Sequence, residues 1–366
     1  MQRYGIIVPV FTTNIPMITV SKEKGTDDLS RDSRRGRGVK IALPLIALFL
    51  AFSAFLMSGG DISKIPQTLT EIFSQTEEGR HNAPVGEEAL ALSEIPPWEP
   101  GELQIHYLDV GQGDSCLARL PNGETMMIDG GNNPDGEKIA AYLKEAGIQK
   151  IDYLIGTHPH EDHVGGLDVI LRSFDIGEIY LPEIAGALVP TTKTYEDVLD
   201  AISEKGLRAV KAKAGVQILR EEELSIRILS PASSDYDDLN DYSAVVKITF
   251  GEKSFLFMGD AETQVEEELL SGEEILSADV IKLGHHGSST SSSPAFLERV
   301  NPDTAVISCG RDNSYGHPHS EVLDRLDEEG ISYFRTDLDG TVIASCNGEE
   351  IDFQLLSVSC DGNSIN

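Results

Sequence analysis

The run His158-Pro159-His160-Glu161-Asp162-His163-Val164-Gly165-Gly166 constrains this chain more than any other stretch. Three imidazoles and Asp162 fall within six residues, a concentration of nitrogen and oxygen donors suited to zinc or a similar divalent ion. The preceding Ile151-Asp152-Tyr153-Leu154-Ile155 reads as a buried strand, which puts the cluster on the loop where that strand ends. Gly165-Gly166 is expected to let the backbone turn tightly before the apolar run Leu167–Leu171 opens a helix. A strand, a ligand loop and a helix in that order hold a metal at the rim of a sheet.

Three further polar groups follow apolar strands in the same way. Asp129-Gly130-Gly131 follows Met126-Met127-Ile128, and Asp260 follows Phe255-Leu256-Phe257-Met258-Gly259. His285-His286-Gly287-Ser288-Ser289 follows Val280-Ile281-Lys282-Leu283-Gly284. Sheet folds gather their sites at such strand ends, although a lone Asp-Gly is equally the mark of a simple turn.

The rest of the chain from Gly101 alternates short β-rich runs with helical patterns. Leu103–Leu108, Ser115–Leu120 and Thr125–Ile128 read as strands, the last two joined by the Pro121-Asn122-Gly123 turn. A helix is predicted over Lys138–Ala146. A second strand-rich block holds Val216–Leu219, Leu224–Leu229, Ala244–Phe250, Ser254–Met258, Ala278–Leu283 and Thr304–Ser308, with helices at Gln264–Leu270 and Pro294–Val300. Two strand-rich halves, each with helices, predict a layered α/β domain with two sheets packed face to face under helices.

The N-terminal part differs in character. Residues 1–40 are polar with a basic end (Arg31, Arg34, Arg35, Arg37, Lys40) and read as a disordered cytoplasmic tail. Ile41–Met57 carries no charge over seventeen residues, the short limit for a helix across a bilayer, so residues 41–58 read as a single membrane anchor. The basic flank then keeps the N-terminus in the cytoplasm and the main body outside. A cleaved signal peptide and a buried globular helix are the competing readings. Residues 59–100 are acidic and Pro-rich and read as an extended tether, and residues 359–366 as a disordered tail.

Charge limits the partners. The first sixty residues carry a net +4, so with −32 over the whole chain the remainder carries −36. A body that acidic repels polyanions at long range. Four cysteines without a CxxC pattern are too few for a disulfide scaffold; Cys346 and Cys360 could pair, but buried free thiols are the expected state.

The pattern His-x-His-x-Asp-His with Gly-Gly, a later Gly259-Asp260 and a later strand-ending His resembles the metallo-β-lactamase superfamily of metal-dependent hydrolases. Tyr107-Leu108-Asp109-Val110-Gly111-Gln112-Gly113-Asp114-Ser115, Lys282-Leu283-Gly284-His285-His286-Gly287-Ser288 and Asn313-Ser314-Tyr315-Gly316-His317-Pro318 are similar to the C-terminal hydrolase domain of ComEC/Rec2 DNA-uptake proteins. The resemblance implies an αββα four-layer sandwich over residues 101–358. It also implies two divalent ions, zinc or manganese, with a one-ion site as the alternative. His158 and His160 would bind one ion, Asp162 and His163 the other, with Asp260 bridging and His286 or His285 completing the second site. A metal-bound hydroxide would attack, so Asp162, His163 and Asp260 are the expected catalytic residues. Asp109, Gln112, Asp114, Asp129, Asn240, Ser288 and His317 are the expected substrate-binding set.

The chain departs from the superfamily pattern in one respect. Between His163 and Asp260 it has no histidine, where a further ligand is usual; Asn240 or Ser243 stands in that place. The first ion should therefore be held more weakly, or be harder than zinc, such as manganese. The resemblance implies a phosphodiesterase or nuclease acting on DNA or on a small or cell-wall phosphodiester. The acidic body has no basic run to neutralise DNA phosphates, leaving Lys282, Arg311 and Arg335 as the candidates for a local patch. Lactone, ester or thioester hydrolysis and a degenerate envelope-binding module are the alternatives. No protein partner is indicated.

Overall fold

The computed structural model describes residues 90–92 and 94–356. The tail read over 1–40, the anchor read over 41–58, most of the tether and the tail read over 359–366 lie outside the described residues. Among the described residues no helix is long and apolar enough to cross a membrane.

Alternation of side chains builds the architecture. In β4 (Thr125–Ile128), Met126 and Ile128 face one way and Met127 the other, and all three are buried. In β11 (Lys253–Phe257), Phe255 and Phe257 face one core while Leu256 enters another. Strands buried on both faces need a layer on each side. The first sheet has nine strands in the order β1-β16-β15-β2-β3-β4-β5-β6-β7. These are β1 (Leu90–Leu92), β2 (Leu103–Tyr107), β3 (Cys116–Arg119), β4, β5 (Lys150–Ile155), β6 (Asp175–Pro182), β7 (Ala209–Ala212), β15 (Thr341–Cys346) and β16 (Ile351–Leu356). The second has seven in the order β14-β13-β12-β11-β10-β9-β8. They are β8 (Gln217–Arg220), β9 (Leu224–Ile228), β10 (Val246–Phe250), β11, β12 (Val280–Lys282), β13 (Thr304–Ile307) and β14 (Ser332–Arg335).

Ile105, Tyr107 and Met126 of the first sheet meet Ile226, Ile248, Phe255 and Phe257 of the second in the central core. Outside the first sheet pack α1 (Gly136–Glu145), α3 (Leu167–Ser173) and α4 (Lys193–Glu204), through Ile139, Leu143, Ile170 and Val198. Outside the second pack α5 (Thr263–Ser271), α6 (Pro294–Val300) and α7 (Ser320–Glu329), through Val265, Leu269, Phe296 and Val322. Short α2 (Glu161–Val164) and α8 (Thr336–Asp339) complete the set used here. The order is helix, sheet, sheet, helix, as the layered α/β reading expects.

Three readings change. The metal-ligand run is not wholly loop: Asp162 and His163 lie in α2, with His160 at its N-cap. Gly165 and Gly166 do not make a tight turn, since both have right-handed helical backbone (φ −57° and −89°). Glycine is required there by contact: a Cβ on Gly165 would lie 2.3 Å from Asn133 N, and one on Gly166 2.3 Å from Gly130 O. The segment 59–100 is not an extended tether throughout, because β1 pairs in parallel with β16 and Trp98 docks beside the sheet. Trp98 Nε1 donates to Glu102 O (2.8 Å), and the Arg119 guanidinium sits 5.4 Å from its ring centre.

Parallel pairing of β4 with β5, and of β11, β12 and β13 with one another, brings the C-terminal ends of those strands out on common rims. Ala244 N donates to Thr157 O (2.9 Å), joining the two rims at one seam.

Candidate metal centre

The seam is lined from both sides. The segment after β5 supplies His158, His160, Asp162 and His163, the end of β11 supplies Asp260, and the segment after β12 supplies His285 and His286. His158 Nε2 and His160 Nδ1 stand 3.0 Å apart. His163 Nε2 is 3.2 Å from Asp260 Oδ1, and His158 Nε2 is 3.8 Å from Asp260 Oδ2. His286 Nε2 is 3.3 Å from Asp162 Oδ2 and 3.6 Å from Asp260 Oδ2. His158, His163 and Asp260 thus bring ligand atoms within 4.8 Å of one another, as do Asp162, His163 and His286.

The imidazoles are aimed from behind. Thr157 N and Oγ1 each donate to a different oxygen of Asp129 (both 2.7 Å), and Asp129 Oδ2 accepts from His163 Nδ1 (2.9 Å). His286 Nδ1 donates to Ser308 O (2.9 Å) and lies 3.3 Å from Asp114 Oδ1. Both rings therefore turn Nε2 into the seam, the arrangement that fixes tautomer and direction in metal-binding histidines. Asp129, His285 and His286 adopt left-handed backbone (φ 61°, 48° and 55°), strain that side-chain-bearing residues rarely carry and that clusters at working sites.

Electrostatics follow from this crowding. Burial opposes charge on His163, yet Asp260 and Asp129 hold its pKa well above the ordinary value. Burial likewise opposes charge on His286, while Asp260 and Asp114 push it up to about 10. Burial would raise Asp260, but His163 and His286 hold it well below the usual carboxylate range. Asp162, also opposed by burial, is held below the usual carboxylate range by the adjacent His286 and the charge of His163. His158 is pushed well down by burial and the neighbouring His163.

These residues fit a divalent ion. Among the described residues, His163 Nε2, His286 Nε2 and Asp260 Oδ1 are buried without any hydrogen-bond partner. Buried polar atoms are normally satisfied, so three convergent orphans of ligand type call for a cation. His286 is 1% exposed and supplies one of those orphans. His285 turns aside, its Nδ1 donating to Glu262 Oε1 (2.9 Å) with Nε2 3.8 Å from Asp260 Oδ2.

The other expected residues separate. Gln112, Asn240 and His317 line the same cavity, of about 260 Å³, together with His160, Asp162 and Tyr315. Asp129 sits behind the imidazoles, as described. Asp114 is no substrate contact: it is buried beneath the ligands and ion-paired with Lys282, whose ammonium also donates to Gly259 O (3.1 Å). Asp109 accepts from Gly111 N (3.1 Å) and holds its own loop. Ser288 is buried, with its hydroxyl engaged by Thr290 Oγ1 (3.0 Å). Ser243 Oγ accepts from Asp260 N (3.0 Å) and is 3.4 Å from His158 Nδ1, so it supports the site from within.

The proposed basic patch is absent from these residues. Lys282 is buried, Arg311 donates to Asp337 O (3.0 Å), and Arg335 is paired with the Asp337 carboxylate (2.7 Å). Sequence reasoning missed the Lys282–Asp114 pair, although a lysine inside an apolar parallel strand was its signal. It also missed the roles of Thr157 and Glu262, which no local motif marks.

Residues 108–311 match the Metallo-beta-lactamase superfamily. Among curated proteins, the chain is 32% identical over 265 residues to ComE operon protein 3 of Bacillus subtilis, covering 68% of this chain and 34% of that protein. It is 30% identical over 264 residues to Recombination protein 2 of Haemophilus influenzae, covering 71% of this chain and 30% of that protein. A shorter stretch of 48 residues is 48% identical to Ribonuclease J of a Synechocystis strain, covering 13% of this chain and 7% of that protein. The chain spans about a third of the length of the first two relatives. With the superfamily match covering more than half of its length and the ligand residues gathered at one seam, the chain belongs to the metallo-beta-lactamase superfamily of metal-dependent hydrolases, in its ComEC/Rec2-like part.

Proposed function

We propose that the seam hydrolyses phosphodiesters, making the protein a metal-dependent phosphodiesterase or nuclease. The observation that carries this reading is the convergence of the unpartnered His163 Nε2, His286 Nε2 and Asp260 Oδ1 at the seam, where Asp260 and Asp162 line the adjoining open cavity. His158, His160, Asp162, His163, Asp260 and His286 would hold one or two ions, zinc or manganese, with Asp260 placed to serve both. Such ions supply Lewis acidity toward a phosphoryl oxygen and make water more acidic.

The chain's own groups do the rest. Asp162 stays ionised, is partly open to the cavity, and is placed to accept a hydrogen bond from the attacking water and orient it. Glu262 fixes the His285 ring through Nδ1, leaving Nε2 beside Asp260 on the wall of the cavity. His317 is pushed down to about 4 by burial and by His286 and His285, so it faces the cavity as a neutral ring. Relatives named for recombination and for ribonuclease action favour a nucleic-acid phosphodiester over a carboxylic ester.

The test uses the full chain loaded with manganese or zinc on bis(p-nitrophenyl) phosphate, a lactone and single-stranded DNA. Phosphodiester turnover is expected, falling by about 10²–10⁴-fold in Asp162→Ala, the range for loss of a proton-handling group. Turnover of the lactone alone would refute the reading, as would full activity in Asp162→Ala.

A further inference from the structure

Resting on the phosphodiesterase reading, we propose that the mouth of the cavity seats a nucleobase on Tyr315, so that the substrate is a nucleotide phosphodiester read by stacking rather than by phosphate charge. Tyr315 is 64% exposed, and it is the one aromatic among the strongly exposed large apolar side chains of the described residues. It lines the cavity beside His317 and Asn240. One side of its ring lies against the His317 ring, centroids 5.6 Å apart and planes 21° from parallel.

The platform is built rather than loose. Asn313 Nδ2 donates to Gly310 O (2.9 Å) and His317 O (2.5 Å). Its Oδ1 accepts from Tyr315 N (3.1 Å) and His317 N (3.0 Å). One side chain thus fixes both ends of the loop that carries the ring. An aromatic held in place before binding loses little freedom when a ligand stacks on it.

A second observation points to a ligand with hydrogen-bond donors. Asn240 is 7% exposed and lines the same cavity; its Nδ2 reaches Glu262 Oε1 (3.4 Å), but its Oδ1 is buried without a partner. A base edge or sugar hydroxyl supplies the missing donor. Charge points the same way. Lys282, Arg311 and Arg335 are all engaged internally, so none of them is available to neutralise a bound strand. Stacking is the attraction that survives an acidic surface, and it is indifferent to which base is presented. A cationic headgroup could also rest on an aromatic face, but cages for such groups surround the cation with several rings, and this mouth offers one exposed ring.

The full chain loaded with manganese is tested on a thymidine dinucleotide, on the same phosphodiester with both bases removed, on p-nitrophenylphosphorylcholine and on bis(p-nitrophenyl) phosphate. The dinucleotide should show a KM about 5- to 100-fold below that of its abasic counterpart, the size of one base–aromatic stack. In Tyr315→Ala that difference should collapse toward unity with little change in the kcat for the dinucleotide, and Tyr315→Trp should restore it. Equal KM values for the two in the wild-type chain would overturn the inference while leaving bis(p-nitrophenyl) phosphate turnover, and so the phosphodiesterase reading, intact. Preference for the choline ester, lost in Tyr315→Ala, would replace the base with a cationic group. Absence of turnover on all four would overturn both readings together.

Discussion

At the residue scale, the centre depends on one buried cation of its own. Lys282 is 2% exposed and Asp114 3%, and their ion pair lies directly behind His286 Nδ1. Burial disfavours charge on both, and each is held ionised first by its partner, with His286 adding to Asp114 and Asp260 adding to Lys282. Lys282→Met removes the main counter-charge of Asp114 beneath the ligands, which should cost about 3–5 kcal/mol in urea unfolding. Lys282→Met combined with Asp114→Asn should recover at least half of that loss, because the buried charge is gone as well. If the double variant is no more stable than the single one, the lysine acts through its packing rather than its charge. The strained backbone of His285 and His286 belongs to the same economy of position: φ of 48° and 55° sends one ring into the seam and the other toward Glu262. Their sequence order alone left the choice between them open.

At the element scale, legibility follows the strength of the apolar pattern. β2, β4, β12 and β13 were visible because their strands are buried on both faces, and β5 and β11 because their C-terminal residues are. β6, β7, β14, β15, β16, α4 and α7 went unassigned, β15 in spite of its buried pattern. β6 opens with the exposed or half-exposed Asp175-Ile176-Gly177-Glu178, β7 is exposed over its first three residues, and α4 mixes seven polar or charged residues into a narrow buried stripe. The site's strand ends were legible, whereas the approach of Gly165 and Gly166 to the 130–133 segment was not, since it depends on contacts remote in sequence. One buried histidine makes an element-level prediction. His106 on β2 contacts Tyr142 Oη of α1 (2.7 Å) and Gln104 Oε1 (2.9 Å). Burial, with a smaller push from Arg119, lowers its pKa from 6.5 to about 3. The unfolded chain therefore takes up a proton near pH 6.5 that the folded chain refuses until about pH 3, and stability is lost as pH falls across that window. Between pH 7 and pH 4.5 this group alone should remove about 2–3 kcal/mol. Urea midpoints for His106→Gln should fall correspondingly less over the same interval, and an equal fall in both proteins would rule the contribution out.

At the scale of the whole molecule, the proposed ligands join two sheets that otherwise meet through apolar packing. His158, His160, Asp162 and His163 come from the first sheet's rim, and Asp260 and His286 from the second's. An ion held by both sets is a cross-link that the unfolded chain cannot form, so binding must appear as stability. At about 100 times its Kd a single ion contributes about 2.7 kcal/mol. For a domain of this size that is a rise in Tm of about 5–10 °C. The acidic surface complicates the measurement, because a chain of net charge −32 attracts divalent ions wherever carboxylates crowd. Asp260→Asn separates the two effects: it alters the carboxylate proposed to serve both halves and leaves the surface charge almost unchanged. Manganese or zinc should raise the Tm of the full chain by the stated amount, chelation should reverse it, and the variant should keep less than half of the rise. A rise of equal size in Asp260→Asn would place the stabilising ions on the outer surface, and the seam would then have to be read as a polar core rather than a metal centre.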